Sequence, residues 1–307
     1  MTEENNLQNL KIVDPETKKS LQRIDIQNIN ISFIEAINKL DYTGLTFKDI
    51  TALWTDPKSN KFYLEVAKIP VLIKEIFIFE KDNKFFPSAK RSEFNPFMIS
   101  NYNNNDFYRE YEKIVSFKTD YFYIEIMNFL KSNSNDNVNV VELLSSDGAT
   151  ISSLKKKLNM VNFIAVDIDF SSLKKISHSQ IICADVNYLP LQNNSIDIFF
   201  SNSFHHIPET AQVAWNEVLI SLKNNGAFFG VETQGIISKI ILNIINFLPY
   251  IFIPKKFWEI KNEYNLISNW LSISLQTRFK TLGSDFNLQY RKNLNYIFYK
   301  FKKFNEN

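Results

Sequence analysis

The chain has 307 residues, 45% of them hydrophobic, with 28 Phe and 13 Tyr, enough apolar surface for a sizeable core and too much for a globally disordered chain. Its 35 basic and 33 acidic residues nearly cancel, so charge gives no reason to expect a nucleic-acid partner. The single cysteine, Cys183, excludes an intrachain disulfide and a cysteine-cluster zinc site, and it suits a reducing cytoplasm.

Taken in chain order, residues 1 to about 30 are polar, and Met1 to Asp14 lacks the basic-then-apolar pattern of a signal peptide. The run Asp14–Lys19 carries charges of both signs beside a proline and is expected to stay in water. Ile69–Phe79 is rich in β-branched and aromatic residues, as a buried strand would be, and Lys81-Asp82-Asn83 supplies turn chemistry after it. Asn101–Asp106 reads as a loop. A helix is expected from about Asp106 to Leu130, because Tyr111, Ile114, Val115, Tyr121, Ile124 and Met127 fall near helical spacing. Residues 1–117 form, on this reading, an N-terminal extension of unassigned fold, and 118–307 the second unit.

The linker Ser132–Asn137 marks a change of pattern. Apolar runs suited to parallel strands follow at Val138–Leu144, Phe163–Ile168, Ile181–Ala184, Ile196–Ser201 and Ala227–Glu232. Helical stretches separate them at Ile151–Leu158, Ser171–Ser177 and Glu209–Leu222. Strands alternating with helices at this spacing predict an α/β fold with a doubly wound, mostly parallel sheet, its core at 138–235. Residues 236–307 then supply a lid and closing strands. Ile236–Pro254 is largely apolar and has three readings: a lid helix, a membrane-surface contact aided by Lys255 and Lys256, or a bilayer span. Lys239, Asn243, Asn246 and Pro249 weigh against the span. Phe286–Tyr290 and Tyr296–Phe301 read as a closing hairpin.

Three stretches can carry chemistry. Val140–Thr150 (VVELLSSDGAT) places Glu142 at a strand end and Gly148 before a helix, where backbone N–H groups can face a nucleotide. Asp167 ends the second strand roughly 20 residues beyond Gly148, the spacing at which a carboxylate accepts from ribose hydroxyls; Asp169 is a competitor. The third stretch is Ile182–Pro208, ICADVNYLPLQNNSIDIFFSNSFHHIP.

The order and spacing of Asp185-Val186, Leu189-Pro190, Ile196-Asp197 and His205-His206-Ile207 resemble class I S-adenosylmethionine-dependent methyltransferases of the small-molecule type, over roughly a third of the chain. The resemblance implies a Rossmann-like domain, with an N-terminal extension and C-terminal lid helices, that binds S-adenosylmethionine. Asp185 would contact the adenine amino group beside Val186, with Glu142, Gly148, Asp167 and Ser201 as the other cofactor-binding residues. His205 and His206 are the candidate general bases, and no metal is expected. In the family's acidic-x-Gly-x-Gly-x-Gly pattern, Leu144 and Ser146 occupy the first two glycine places. A positive φ there would cost energy. The implied function is methyl transfer to a small-molecule, sugar or lipid-linked acceptor in the cytoplasm, with membrane-surface contact through 236–256 as a further expectation. The alternative is a catalytically inactive relative kept as a binding or scaffold protein.

Overall fold

The structure is a computed structural model that describes residues 10–26, 31–40, 42, 45–88, 95–97, 105–133, 137–177, 179–202, 204, 211–233, 286–292 and 296–303. Its centre is built by five parallel strands: β7 (Val138–Leu143), β8 (Val161–Asp167), β9 (Gln180–Cys183), β10 (Ile196–Ser201) and β11 (Leu222–Thr233). Strand β7 lies in the middle, with β8 and then β9 on one side and β10 and then β11 on the other. The chain therefore reverses direction of travel across the sheet after β9, which creates a switch point between the carboxyl ends of β7 and β10. In open α/β sheets ligands bind at such a point.

Both faces of these strands are apolar because both are covered. Val138, Val140, Phe163, Ile198 and Phe200 point into one cluster, joined there by α3 (Ala149–Lys157), α4 (Phe170–Leu173) and α2 (Asn105–Ser132). Val141, Leu143, Ile164, Ile196 and Phe199 point into the other, covered by Ala214, Trp215 and Val218 of α5 (Ala211–Ser221). The hairpin expected near the C-terminus is present as β12 (Phe286–Lys292) and β13 (Tyr296–Lys303), and β13 joins β11 antiparallel. Gly230 of β11 is paired with Tyr299 of β13, whose ring lies 2.1 Å from where a Cβ on Gly230 would stand; no other residue fits there.

Asn224-Asn225-Gly226 forms an irregularity inside β11. Asn225 has φ 63°, and pairing with β10 jumps from Ile196–Leu222 to Ile198–Ala227. Below it, at the amino ends of the strands, Asp197 accepts from Lys223 Nζ at 2.8 Å and from the Asn139 N–H at 3.0 Å. It thereby ties β7, β10 and β11 together at the end opposite the switch point.

The N-terminal extension continues the same sheet. Strand β4 (Ile69–Val71) runs parallel to β9, with Val71 beside Cys183, and β3 (Lys61–Val66), β2 (Ile50–Thr55) and β1 (Gln22–Asp25) follow antiparallel. A hairpin, β5 (Ile78–Lys81) and β6 (Lys84–Pro87), attaches to β3, and α1 (Ile31–Leu40) packs on this part. Two expectations need correction here. Ile69–Phe79 is not one strand: β4 ends at Val71, and β5 begins only at Ile78. The N-terminal arm is only partly solvated from residue 10 onward: Leu10, Ile12, Val13, Asp14, Pro15 and Leu21 are buried, whereas Glu16, Thr17 and Lys19 are exposed as expected. Asp14 tolerates burial because its carboxylate accepts from the N–H groups of Glu16 and Thr17 and from the Tyr63 hydroxyl, and Lys61 lies 3.5 Å away.

Candidate functional site

The turn after β7 is where the sequence departs from a glycine-rich loop, and its backbone keeps the glycine shape regardless. Leu144, Ser146 and Gly148 all have positive φ, at 58°, 50° and 71°. Only Gly148 adopts this without strain. It also has no room for a side chain, because a Cβ would stand 2.7 Å from Ile176 Cγ1. For each of the other two, the left-handed conformation costs on the order of 1–2 kcal/mol.

Local bonds hold the strained turn in place. The Ser145 N–H donates to the Val166 carbonyl at 3.2 Å, and the Gly148 N–H to the Ser145 carbonyl at 2.8 Å. The Ser146 N–H donates to Asp167 Oδ2 at 2.8 Å. The Leu144 side chain is half-buried against the apolar cluster on the α5 face, which offsets part of its conformational cost. Ser145 Oγ is buried without a hydrogen-bond partner in the structure.

Glu142, near the end of β7, is buried and accepts from the Ile151 N–H at 3.2 Å, satisfying an open donor of α3. Burial raises its pKa well above the ordinary carboxylate value; Asp147 and Asp167 add to this, and the Ile151 and Thr150 hydrogen bonds oppose it. Asp167 ends β8, and burial raises its pKa too, against the favourable N–H groups of Asp169 and Ser146. Asp169 is the N-cap of α4, accepting from Ser171 N, Ser172 N and Ser172 Oγ. Asp167 accepts one N–H on each oxygen, from Asp169 at 2.9 Å and from Ser146 at 2.8 Å, and so ties the end of β8 to the turn after β7.

Asp185 begins a short 3-10 turn, Val186–Tyr188. Its Oδ1 accepts from the Asn187 N–H at 2.9 Å and Asn187 Nδ2 at 3.0 Å. Val186 is buried beside it, and Ser201 is buried as the last residue of β10. Glu142, Gly148, Asp167, Asp185, Val186 and Ser201 therefore all stand at the carboxyl ends of four adjacent strands, or in the turns that leave them. His205 and His206 lie outside the described residues, as does the apolar segment 236–256. Among the described residues there is no group of His, Cys, Asp and Glu that could hold a metal, and no helix is long and apolar enough to cross a membrane.

Two residues at this site carry no motif in the sequence. Asn202 follows Ser201 and donates through Nδ2 to Thr150 Oγ1 at 2.9 Å, linking the end of β10 to the start of α3. Lys118, buried on α2, donates to the Asn202 carbonyl at 3.3 Å. A polar residue ending the apolar run IDIFFS was the one visible signal for Asn202. Nothing in the pattern around Lys118 marks it.

Comparison with known proteins gives a family match over residues 141–230, to the methyltransferase domain. No match is found among curated proteins. Solved structures that resemble the chain include an S-adenosyl-L-methionine-dependent methyltransferase from Methanococcus maripaludis, at 17% identity and TM-score 0.45, covering 68% of this chain and 99% of that one. The plantazolicin methyltransferase BpumL in complex with SAH resembles it at 10% identity and TM-score 0.46, covering 66% of this chain and 92% of that one. YcgJ from Bacillus subtilis does so at 16% identity and TM-score 0.36, covering 60% and 99%. Residues 141–230 thus match the family model of a methyltransferase domain, and the strand order that carries them is Rossmann-like.

Proposed function

We propose that the protein transfers a methyl group from S-adenosylmethionine to a small-molecule, sugar or lipid-linked acceptor. The observation that carries this reading is the turn after β7, held at three positive φ values although two of its three glycines are gone, and bonded to Asp167. Backbone strain of this kind persists only where the surrounding structure over-determines it, and it clusters at ligand-binding sites.

The residues present fit this cofactor. Asp167 and Asp185 offer carboxylate oxygens for ribose hydroxyls and the adenine amino group. Buried Ser145 Oγ lacks a partner. Asp147, Asp167 and Asp169 place carboxylates around the turn after β7, which favours a ligand carrying sulfonium and ammonium charge. The cofactor supplies a methyl carbon already activated by the sulfonium. What the chain must do is bind, align donor with acceptor and exclude water. Where the acceptor has a proton to lose, His205 or His206 is assigned to take it. Residues 236–256 are assigned to cover the acceptor, and they are also the part that would touch a membrane surface.

The test is calorimetric titration of the full chain with S-adenosylmethionine and S-adenosylhomocysteine, beside Asp167→Ala. Loss of one charged hydrogen-bonding partner should weaken binding on the order of 10- to 100-fold. A wild-type protein that gives neither heat nor thermal stabilisation with either ligand overturns the reading. The catalytically inactive binding or scaffold role would then take its place.

A further inference from the structure

The turn that carries Asp185 is gripped from outside by the N-terminal extension. The Leu72 N–H, just past β4, donates to the Cys183 carbonyl at 2.8 Å, one strand-end before Asp185. Two residues on, Lys74 holds its Nζ 3.4 Å from the centroid of the Tyr188 ring. Tyr188 closes the 3-10 turn that Asp185 opens, and the Tyr188 N–H donates to the Asp185 carbonyl at 2.9 Å. Glu75 lies 3.5 Å from the same ammonium and balances its charge. Downstream, Lys18 donates to the Leu189 carbonyl at 2.8 Å and pairs with Glu217, which itself accepts from the Leu189 N–H at 2.9 Å. The Val13 N–H donates to the Pro190 carbonyl at 3.1 Å. Residues 185–190 are thus fixed at both ends by the extension, and Lys74 acts on the end nearest the cofactor.

We propose that Lys74 is a positioning residue for the adenine end of the cofactor: its ammonium fixes the Tyr188 ring, and the ring fixes the short turn that presents Asp185. The inference rests on the reading above, in which Asp185 meets the adenine amino group. A cation centred over a phenol ring favours one ring orientation. The Tyr188 N–H bonds back to the Asp185 carbonyl, so anchoring the Tyr188 side chain also anchors the short turn whose first residue carries the carboxylate. The extension is thereby a working part of the cofactor site, and Lys74 sets how strictly the base is read.

The test uses the full chain and two probes, S-adenosylhomocysteine and S-inosylhomocysteine, in which the adenine amino group is replaced by an oxo group. Lys74→Met should weaken S-adenosylhomocysteine by roughly 3- to 10-fold, the range of a partly buried cation–π contact. It should weaken the inosine analogue less, so that discrimination between the two narrows. Lys74→Arg should recover most of both effects. Tyr188→Leu should reproduce the loss, and adding Lys74→Met to it should cost nothing further. A Lys74→Met protein that binds S-adenosylhomocysteine as the wild type does, or that loses both probes equally, overturns the inference and leaves the methyltransferase reading standing. A wild type that binds neither probe overturns that reading, and this inference with it. Should Lys74→Met fail to fold, the narrowing of discrimination in Tyr188→Leu decides in its place.

Discussion

Leu144 and Ser146 adopt the same left-handed backbone in the same turn, yet replacing them should have different consequences. Ser146 is exposed, so its side chain contributes little that glycine would lose. Ser146→Gly should relieve about 1–2 kcal/mol of strain against about 0.5–1 kcal/mol of added chain entropy. A stabilisation of about 0.5–1 kcal/mol is expected, read as a higher urea midpoint at unchanged slope. Leu144→Gly relieves the same strain but gives up packing against the apolar cluster, and it should be neutral or destabilising. Equal gains from both would mean that the Leu144 packing contributes nothing. Glu142 gives the pH dependence. Burial holds its folded pKa above the unfolded one, so across that interval the folded protein keeps a proton that the unfolded chain has released. Its contribution is therefore full below the unfolded value of about 4.3 and is lost as pH rises toward the raised folded value. Glu142→Gln keeps an oxygen for the Ile151 N–H and removes the titration. Its stability relative to wild type, from urea unfolding at a series of pH values, should improve steadily as pH rises above the unfolded value. A difference that does not change with pH would contradict this.

Helix α2 shows how far periodicity reaches. Its existence and its extent agree with the apolar spacing. Among the described side chains of the expected stripe, Tyr121 is buried and Met127 packs on the core, whereas Ile124 is 54% exposed; Phe122 and Ile126, outside that stripe, are fully buried and Phe129 nearly so. The buried face is therefore wider than the stripe and turned away from Ile124, toward α3 and the β10 side chains. Phe122 packs on Phe200 with ring centroids 4.8 Å apart. Ile126→Ala should accordingly cost about 2–5 kcal/mol, and Ile124→Ala less than about 0.5 kcal/mol, by chemical denaturation. Comparable losses would contradict this difference in burial. The run Ile69–Phe79 shows the opposite limit. It is apolar except at Lys74 and Glu75, and the break falls around that pair: β4 stops where Leu72 hands its N–H to Cys183, and the chain then turns to feed β5 at Ile78.

At the scale of the molecule, the parallel core and its site were legible because both are written locally. A buried parallel strand must be apolar on both faces, and a crossover must be helical. Polar residues that stop such strands at Glu142, Asp167, Asp185 and Ser201 gather at one sheet edge once the strands run parallel. The closing hairpin at 286–303 was legible for the same reason. The N-terminal extension was not, because its short antiparallel strands gain their partners only by pairing with β9 and with one another. Its arm looked solvated because Asp14 is buried through long-range partners, Tyr63 and Lys61. The sequence by itself determined the α/β alternation, the motif positions and the carboxylates, each through periodicity or residue chemistry within a few residues. Only the tertiary structure decided that residues 144 and 146 keep a glycine-like backbone and that Lys74 reaches Tyr188. Both depend on contacts between segments far apart in the chain, and such contacts leave no local pattern to read.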